Sequence, residues 1–418
     1  MLRSVLSFVL ICGSGLVAMA SDGSAQDTWP RFRGLNGAGV SDLKGLPTQW
    51  TEQDYEWKVE LPGVGHSSPV VWKDALFVAT SEPTGERSIR CLDAFTGKQR
   101  WAESTTLGTN ALHKKNSYAS ATPAVDEERV YVTFGDDNHH LIQAFSHAGK
   151  RVWDYDLGAI DTHHGQGMSS IVYGDAVILC SDQRGPSYVV ALDRKTGQEI
   201  WKVNREVREA SYSTPLVYEA SGHSPVLICE AGISGHTGLD LATGKQLWTT
   251  GAVELRTCSS LMQAGKLVIG TCGQGGHGRF MWATDPWGNG TDGGKLVYSR
   301  DKMLPYVPTP LYVNGRLFLW TDDGMVVCAN AETGEDIWFE RVGKNYTGSP
   351  IAVDGKIYSI SEDGQVGVVD ASDTFKFHGF SPLGDNSFST PAVANGRLYL
   401  RGFHTLACLK SKSAKSTP

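Results

Sequence analysis

The chain has 418 residues, of which 48 are glycine and 12 tryptophan, and its formal net charge is −7. That length exceeds what one ordinary core fills, whereas a repeat architecture, in which each unit buries its face on the next, escapes the limit. The acidic balance excludes a nucleic-acid footprint and argues against any polyanionic partner.

Residues 1–25 have the form of a secretory signal peptide: one Arg3, an apolar run over 5–17, and small residues ahead of a break after Ala20 or Ala25. The run is too short for a spanning helix with conventional flanks, although an uncleaved anchor is the rival reading. Ile11 stands before Cys12, where a lipoprotein signal wants a small residue, so lipidation is not expected. The expected location is therefore periplasmic or secreted, with no transmembrane segment in the mature chain. Residues 26–53, including Trp29-Pro30-Arg31-Phe32-Arg33-Gly34, follow no strand or helix period and are expected to lie across the domain or hang from it.

Residues 54–410 repeat one phrase. It reads LDAFTGKQRW at 92–101, LDRKTGQEIW at 192–201, LDLATGKQLW at 239–248 and, loosened, ANAETGEDIW at 329–338. A strand, a Thr-Gly turn whose glycine takes positive φ freely, and a second strand ending in an indole make a hairpin. Weaker copies keep Gly149 and Trp153, put Tyr298 in the indole's place, or, at 370–378, lose both. Each hairpin is preceded by Ser or Thr and then Pro, at Ser68, Thr122, Thr214, Thr309, Ser349 and Thr390, with proline-free versions at Ser169 and Ser259-Ser260. Eight starts at intervals of about 40 to 54 residues indicate a propeller or a solenoid.

The expected fold class is all-β, an eight-bladed β-propeller of four-stranded antiparallel blades. Residues 57–61 read as the last strand of a repeat without its hairpin, and the final repeat, from Thr390, stops before its turn. The two fragments should form one blade, with residues 57–61 pairing against 407–409 and closing the ring. No convincing helix is found, and the polar residues 411–418 are expected to be disordered.

Seven of the eight cysteines follow the leader. Cys91, Cys328 and Cys408 share one repeat position, and Cys180 and Cys229 fall late in the preceding strand, as small buried hydrophobes would. Cys258 and Cys272, equidistant from Gly265, are the candidate cross-strand disulfide, and no CxxC metal spacing occurs.

The Leu-Asp-x-x-Thr-Gly-x-x-x-Trp phrase with its Ser/Thr-Pro starts resembles the pyrrolo-quinoline quinone (PQQ)-type propeller repeat over about residues 57–409. The resemblance implies that indoles dock between adjacent blades, a role that falls to Trp57, Trp101, Trp153, Trp201, Trp248 and Trp338. It speaks to architecture and not to chemistry, since the same repeat builds PQQ-dependent dehydrogenases and the non-catalytic outer-membrane β-barrel assembly lipoprotein, to which this chain is closer in size.

In a blade whose first strand is innermost, the loop between strands two and three shares a face with the crossover to the next blade. The short, uniform Thr-Gly turns occupy the other face, so function is expected on the crossover face. Blades six and seven carry bare loops there, Thr321-Asp322-Asp323-Gly324 and Ser361-Glu362-Asp363-Gly364, whereas blades one to five carry longer ones. The candidate ligand-binding residues are His66, His113, Lys115, Asn116, Tyr118, His163, His164, Gln166 and Arg256, a mixture suited to an anionic or hydroxyl-rich ligand. Solvated loop histidines are the bland alternative. A metal site would need His66, His113, His163 and an acid such as Asp161 to converge.

Three functions follow from this reading. The first is an exported, monomeric, non-catalytic propeller that binds a protein, glycan or small ligand on its crossover face, with no cofactor. The second is a quinoprotein dehydrogenase with PQQ and Ca²⁺ in the central channel. The family's enzymes typically have adjacent cysteines over the cofactor, which this chain lacks; neither a calcium set nor a tryptophan floor is assignable, although Trp282 or Trp287 could supply an aromatic surface. A hydrolase has less support, because no Gly-x-Ser-x-Gly, His-Glu-x-x-His or P-loop occurs.

Overall fold

The structure is a computed structural model that describes residues 27–207, 209–275, 277–288 and 293–412. The signal peptide, the lipidation reading at Cys12 and residues 413–418 lie outside the described residues. Eight antiparallel sheets form an eight-bladed propeller, and the third blade typifies them: Ile171–Tyr173 innermost, then Ala176–Ser181, Ser187–Asp193 and Glu199–Arg205. Its two middle strands are Val/Ile-rich and buried almost throughout, because neighbouring blades cover both of their faces; its outer strand alternates. The eighth blade joins Ala392–Ala394, Arg397–Arg401 and Thr405–Lys410 to Trp57–Glu60, in the register Trp57↔Cys408 to Glu60↔Thr405. The ring therefore closes between the chain's two ends, as the truncated repeats require. No helix among the described residues is long and apolar enough to cross a membrane.

The repeated phrase has a local cause in each of its parts. Asp193 Oδ1 accepts the N–H groups of Lys195 (3.0 Å) and Thr196 (2.8 Å) and the Thr196 hydroxyl (2.8 Å), and Asp93 and Asp240 make the same turn with Thr96 and Thr243. After the turn, Ala191 pairs with Trp201 but Leu192 with Glu199, which leaves Ile200 as a β-bulge. The same irregularity precedes the indole position in the other blades that have a complete hairpin. A bulge turns the next side chain out of the strand's ordinary plane, and here it aims the ring at the neighbouring blade. The bulged residues Val152, Ile200, Leu247, Val297 and Ile337 are accordingly exposed.

The rings rest on glycines. Trp57 lies on Gly97, Trp101 on Gly149, Trp153 on Gly197, Trp201 on Gly244, Trp248 on Gly294 and Tyr298 on Gly334; a Cβ on any of these glycines would come within 2.2–2.9 Å of the ring. All six have positive φ, so the glycine serves the turn and the docking together. The Nε1–H of Trp101, Trp153, Trp201 and Trp338 donates to a carbonyl of the next blade's turn at 2.8–3.1 Å. Trp338 meets Phe375 edge-on at 5.2 Å where a glycine is missing.

The seventh blade departs from the pattern. One extra turn residue shifts its register so that Gly379, not His378, stands opposite Val368 in the indole position. Residues ahead of the closing strand fill the space: Gln49 Nε2 donates to the His378 carbonyl, and Trp50 N–H to Ser381 Oγ at 2.9 Å. Leu46 and Trp50 are buried in one cluster with Tyr358, Leu383 and Leu398. Residues 411 and 412 are also held in place, with Ser411 N–H on Gly396 O and Lys412 N–H on Gly45 O, so order extends past the last strand.

The N-terminal segment carries more structure than its sequence period suggests. Thr28–Trp29 pairs with Val71–Trp72 of the first blade, and Val40–Ser41 runs parallel to Ala352–Val353 of the seventh. In between, Pro30 O accepts Val125 N–H (2.8 Å), Arg31 Nη2 reaches Pro215 O (3.0 Å) and Asn36 Nδ2 reaches Val217 O (2.8 Å). Innermost strands leave an unpaired edge facing the channel, and this segment satisfies four of those edges by crossing the channel at the Thr-Gly end.

Two outcomes test this packing. Replacing Trp201 by Ala should cost roughly 3–5 kcal/mol, the range for deleting a buried large aromatic. Gly244→Ala should cost less in that variant than in the parent, because the added Cβ no longer meets an indole; equal costs in chemical denaturation would separate the two residues. His140 is fully buried against Ser181 Oγ at 3.1 Å, and burial lowers its pKa from 6.5 to about 4. The unfolded imidazole takes a proton that the folded one refuses, so His140's share of stability is complete above pH 6.5 and is lost as pH falls toward 4. Between pH 7 and 4, the parent should lose roughly 3 kcal/mol more than His140→Gln.

Candidate functional site

The blade starts build the floor of the site. Ser68 N–H donates to Thr122 Oγ1 (2.9 Å), Thr122 N–H to Ser169 Oγ (2.9 Å), Thr214 N–H to Ser260 Oγ (3.0 Å) and Ser260 N–H to Thr309 Oγ1 (2.9 Å). The series continues from Thr309 to Ser349 (2.9 Å), Ser349 to Thr390 (2.9 Å) and Thr390 back to Ser68 (3.1 Å). At seven of the eight starts a hydroxyl thus accepts the N–H of the neighbouring blade, and a proline that follows has no N–H to leave unpaired on the channel edge. This is the physical reason for the Ser/Thr-Pro phrase.

Above the ring, on the crossover face, lies a cavity of about 610 Å³. All eight hydroxyl residues line it, and Phe32 of the segment that crosses the opposite end lines it as well. The channel is therefore a cup with one open mouth. Six of the sequence candidates line this cup: His66, His113, Lys115, Asn116, His164 and Arg256. The other three lie off it. Tyr118 is clamped by its hydroxyl on Asn110 O (2.7 Å) with the Arg87 guanidinium 4.4 Å over its ring. Gln166 is buried on Met168 O (3.1 Å), and exposed His163 faces Arg184 at 3.2 Å.

His164 is the meeting point of the mouth. Arg256 Nη1 donates to its Nε2 at 2.6 Å, the His113 and His163 rings lie 5.0 and 4.8 Å away, and Arg256 also holds Glu209 at 3.2 Å. Burial, and then the charge of Arg256, lowers the His164 pKa to about 4. Burial, followed by the charges of Lys114, Lys115 and Arg256, lowers that of His113. Both imidazoles are thus neutral near pH 7, and Arg256 supplies the positive charge beside them. Asn116 ties the two crossovers together through His164 O (2.7 Å) and Gln166 O (3.2 Å). His66 has a different setting, between the Phe388 and Phe403 rings at 4.9 and 4.8 Å, where burial lowers its pKa to about 3.

Residues from the bare hairpins also reach the site. Glu362 binds Lys115 at 2.6 Å and accepts the Thr347 hydroxyl at 2.7 Å. Asp322 lines the cup, accepts Tyr306 N–H (2.7 Å) and pairs with Arg279 at 3.4 Å. Both acids hold the second position of a four-residue loop, a shared signal that loop length alone conceals. Tyr212, Tyr306 and Cys258 complete one wall, and burial raises the Cys258 thiol to about 11.

The proposed metal ligands do not gather. Asp161 is held by Arg184 (3.0 Å), and no group of three or more His, Cys, Asp or Glu among the described residues is arranged around a metal position. Cys258 and Cys272 are not joined. For PQQ, Trp282 is buried beside His236 at 5.3 Å and Trp287 stacks on His223 at 4.4 Å; neither lines the cup. Among the described lining residues there is no indole, and Cys258 has no adjacent cysteine. The residues present do not fit the platform and paired cysteines of the quinoprotein enzymes.

Comparison with known proteins gives matches that include assembly factors and dehydrogenases. The outer membrane protein assembly factor BamB of Moranella endobia (strain PCIT) is 23% identical over 285 residues, 65% of this chain and 66% of that protein. Subunit 1 of methanol dehydrogenase [cytochrome c] from Methylobacterium organophilum is 32% identical over 130 residues, 29% of this chain and 20% of that one. The chain thus spans just under two thirds of the first relative and a fifth of the second. Among solved structures, BamB from Moraxella catarrhalis superposes with a TM-score of 0.62 at 14% identity, over 90% of this chain and 100% of that one. Quinohemoprotein alcohol dehydrogenase from Comamonas testosteroni gives 0.52 at 13% identity, over 94% and 82%. These likenesses show the fold alone. The profile that matches residues 48–249 and 237–376 spans most of the chain, which therefore belongs to the outer membrane protein assembly factor BamB family.

Proposed function

We propose that the chain is an exported, periplasm-facing, non-catalytic propeller that works in outer-membrane protein assembly by holding a protein partner on its crossover face. Membership of the BamB family supports the process, and the blind cup carries the reading of the face. Phe32 and the crossing segment close one end, so the channel has a binding mouth and no through path. The mouth presents two neutral imidazoles, one guanidinium and one ammonium, groups that receive a carboxylate- or hydroxyl-bearing loop of a partner. Its thiol, held up at about 11 by burial, is a poor nucleophile near neutral pH.

A second reading, a small anionic or hydroxyl-rich ligand such as a glycan end, draws support from the cavity's size: about 610 Å³ falls among small-molecule pockets. One set of variants tests both. His113→Ala, Lys115→Ala and Arg256→Ala combined should weaken partner binding by at least about tenfold while the protein stays folded with a single cooperative melt, since ion pairs at the partly solvated rim contribute little stability. In a host lacking the gene, the triple variant should fail to restore outer-membrane protein levels. Full restoration with unchanged binding would remove the crossover face from the reading. A glycan or sugar acid that raises the melting temperature of the parent, but not of the triple variant, would favour the second.

A further inference from the structure

We propose that Cys180 and Cys229 form a disulfide that staples the third blade to the fourth. In the third blade Ile178 pairs with Ile171, and in the fourth Ile228 pairs with Leu216 at the matching place. Cys180 stands two residues beyond Ile178 and Cys229 one beyond Ile228. Side chains alternate between the faces of a strand, so this offset of one turns each sulfur toward the other blade. The two Sγ atoms lie 2.9 Å apart, well inside the separation of non-bonded atoms of this size, and a small side-chain shift brings them to the bonded length of about 2.05 Å.

The surroundings favour the bond. Both thiols are buried in one apolar cluster with Ile171, Val217 and Leu227. Among the described residues no other pair of cysteine sulfurs is in contact. Burial pushes the Cys180 thiol well above its ordinary value, so the closed joint disfavours the thiolate that exchange requires. The oxidant is a protein or small-molecule disulfide. One thiolate attacks it, forming a mixed disulfide and freeing the first of the carrier's two thiolates; the second cysteine thiolate then attacks the cysteine sulfur of that intermediate and frees the other. Two protons leave the cysteines and two electrons pass to the carrier. Because both sulfurs are buried once the blades dock, the exchange belongs to folding and precedes closure of this joint.

The test is refolding of the reduced, denatured full chain in a glutathione redox buffer, followed by alkylation under denaturing conditions and peptide mapping. The expected product links the peptides carrying Cys180 and Cys229, with the other described cysteines alkylated. Recovery of both as alkylated peptides, or in linkage with other cysteines, overturns the proposal. Refolding in a strong reductant instead should lower the melting temperature by roughly 3–5 °C against the oxidised protein. It should leave the Cys180→Ala, Cys229→Ala double variant unchanged, and a parent equally indifferent to reductant overturns it as well.

Discussion

Seven of the eight blades hold their neighbour through a flat ring laid against the turn of the next hairpin, and the propeller's geometry depends on that contact. The bulge sets the angle of the indole, the positive φ of the glycine opens the turn, and the missing Cβ lets the two approach. The three act on one contact, which explains why the phrase returns as a unit; Trp338 lacks the glycine and leans on Phe375 instead. Apolar burial on both faces of the middle strands then supplies the bulk of the stabilisation.

The site follows from the same repetition carried to the channel. Hydrogen bonds between successive starts fix the inner strands at one height and give the cup a polar floor. Individuality enters only above that floor, where Asn116 straps two crossovers together and Arg256 meets His164. A uniform base with a varied rim gives rigid placement to loop residues, the arrangement that recognition needs.

The architecture was legible because its determinants are local and periodic: the Asp-x-x-Thr-Gly turn, the indole, and the two incomplete repeats at the ends. Much of the rim was not, because its contacts join residues far apart in the chain. Lys115 and Glu362 meet across 247 positions, and Arg279 and Asp322 join different blades. Tyr118 and Gln166 show the converse error, in which residues with chemistry to offer spend it on packing within their own crossovers. In the seventh blade a single extra turn residue moved Gly379 into the indole position, a shift invisible to counting from Asp370.

The closing strand has a consequence for the order in which the molecule is made. Trp57–Glu60 leaves the ribosome before the blades but finds its partner, Thr405–Lys410, only when the last blade exists. Until then two open sheet edges and the apolar residues of the segment ahead of that strand stand exposed. Contacts of such long sequence separation form slowly. The nascent chain therefore passes through a horseshoe with sticky tips, and the hazard it runs in that interval is end-to-end joining with a second molecule, a swapped ring in place of a closed one.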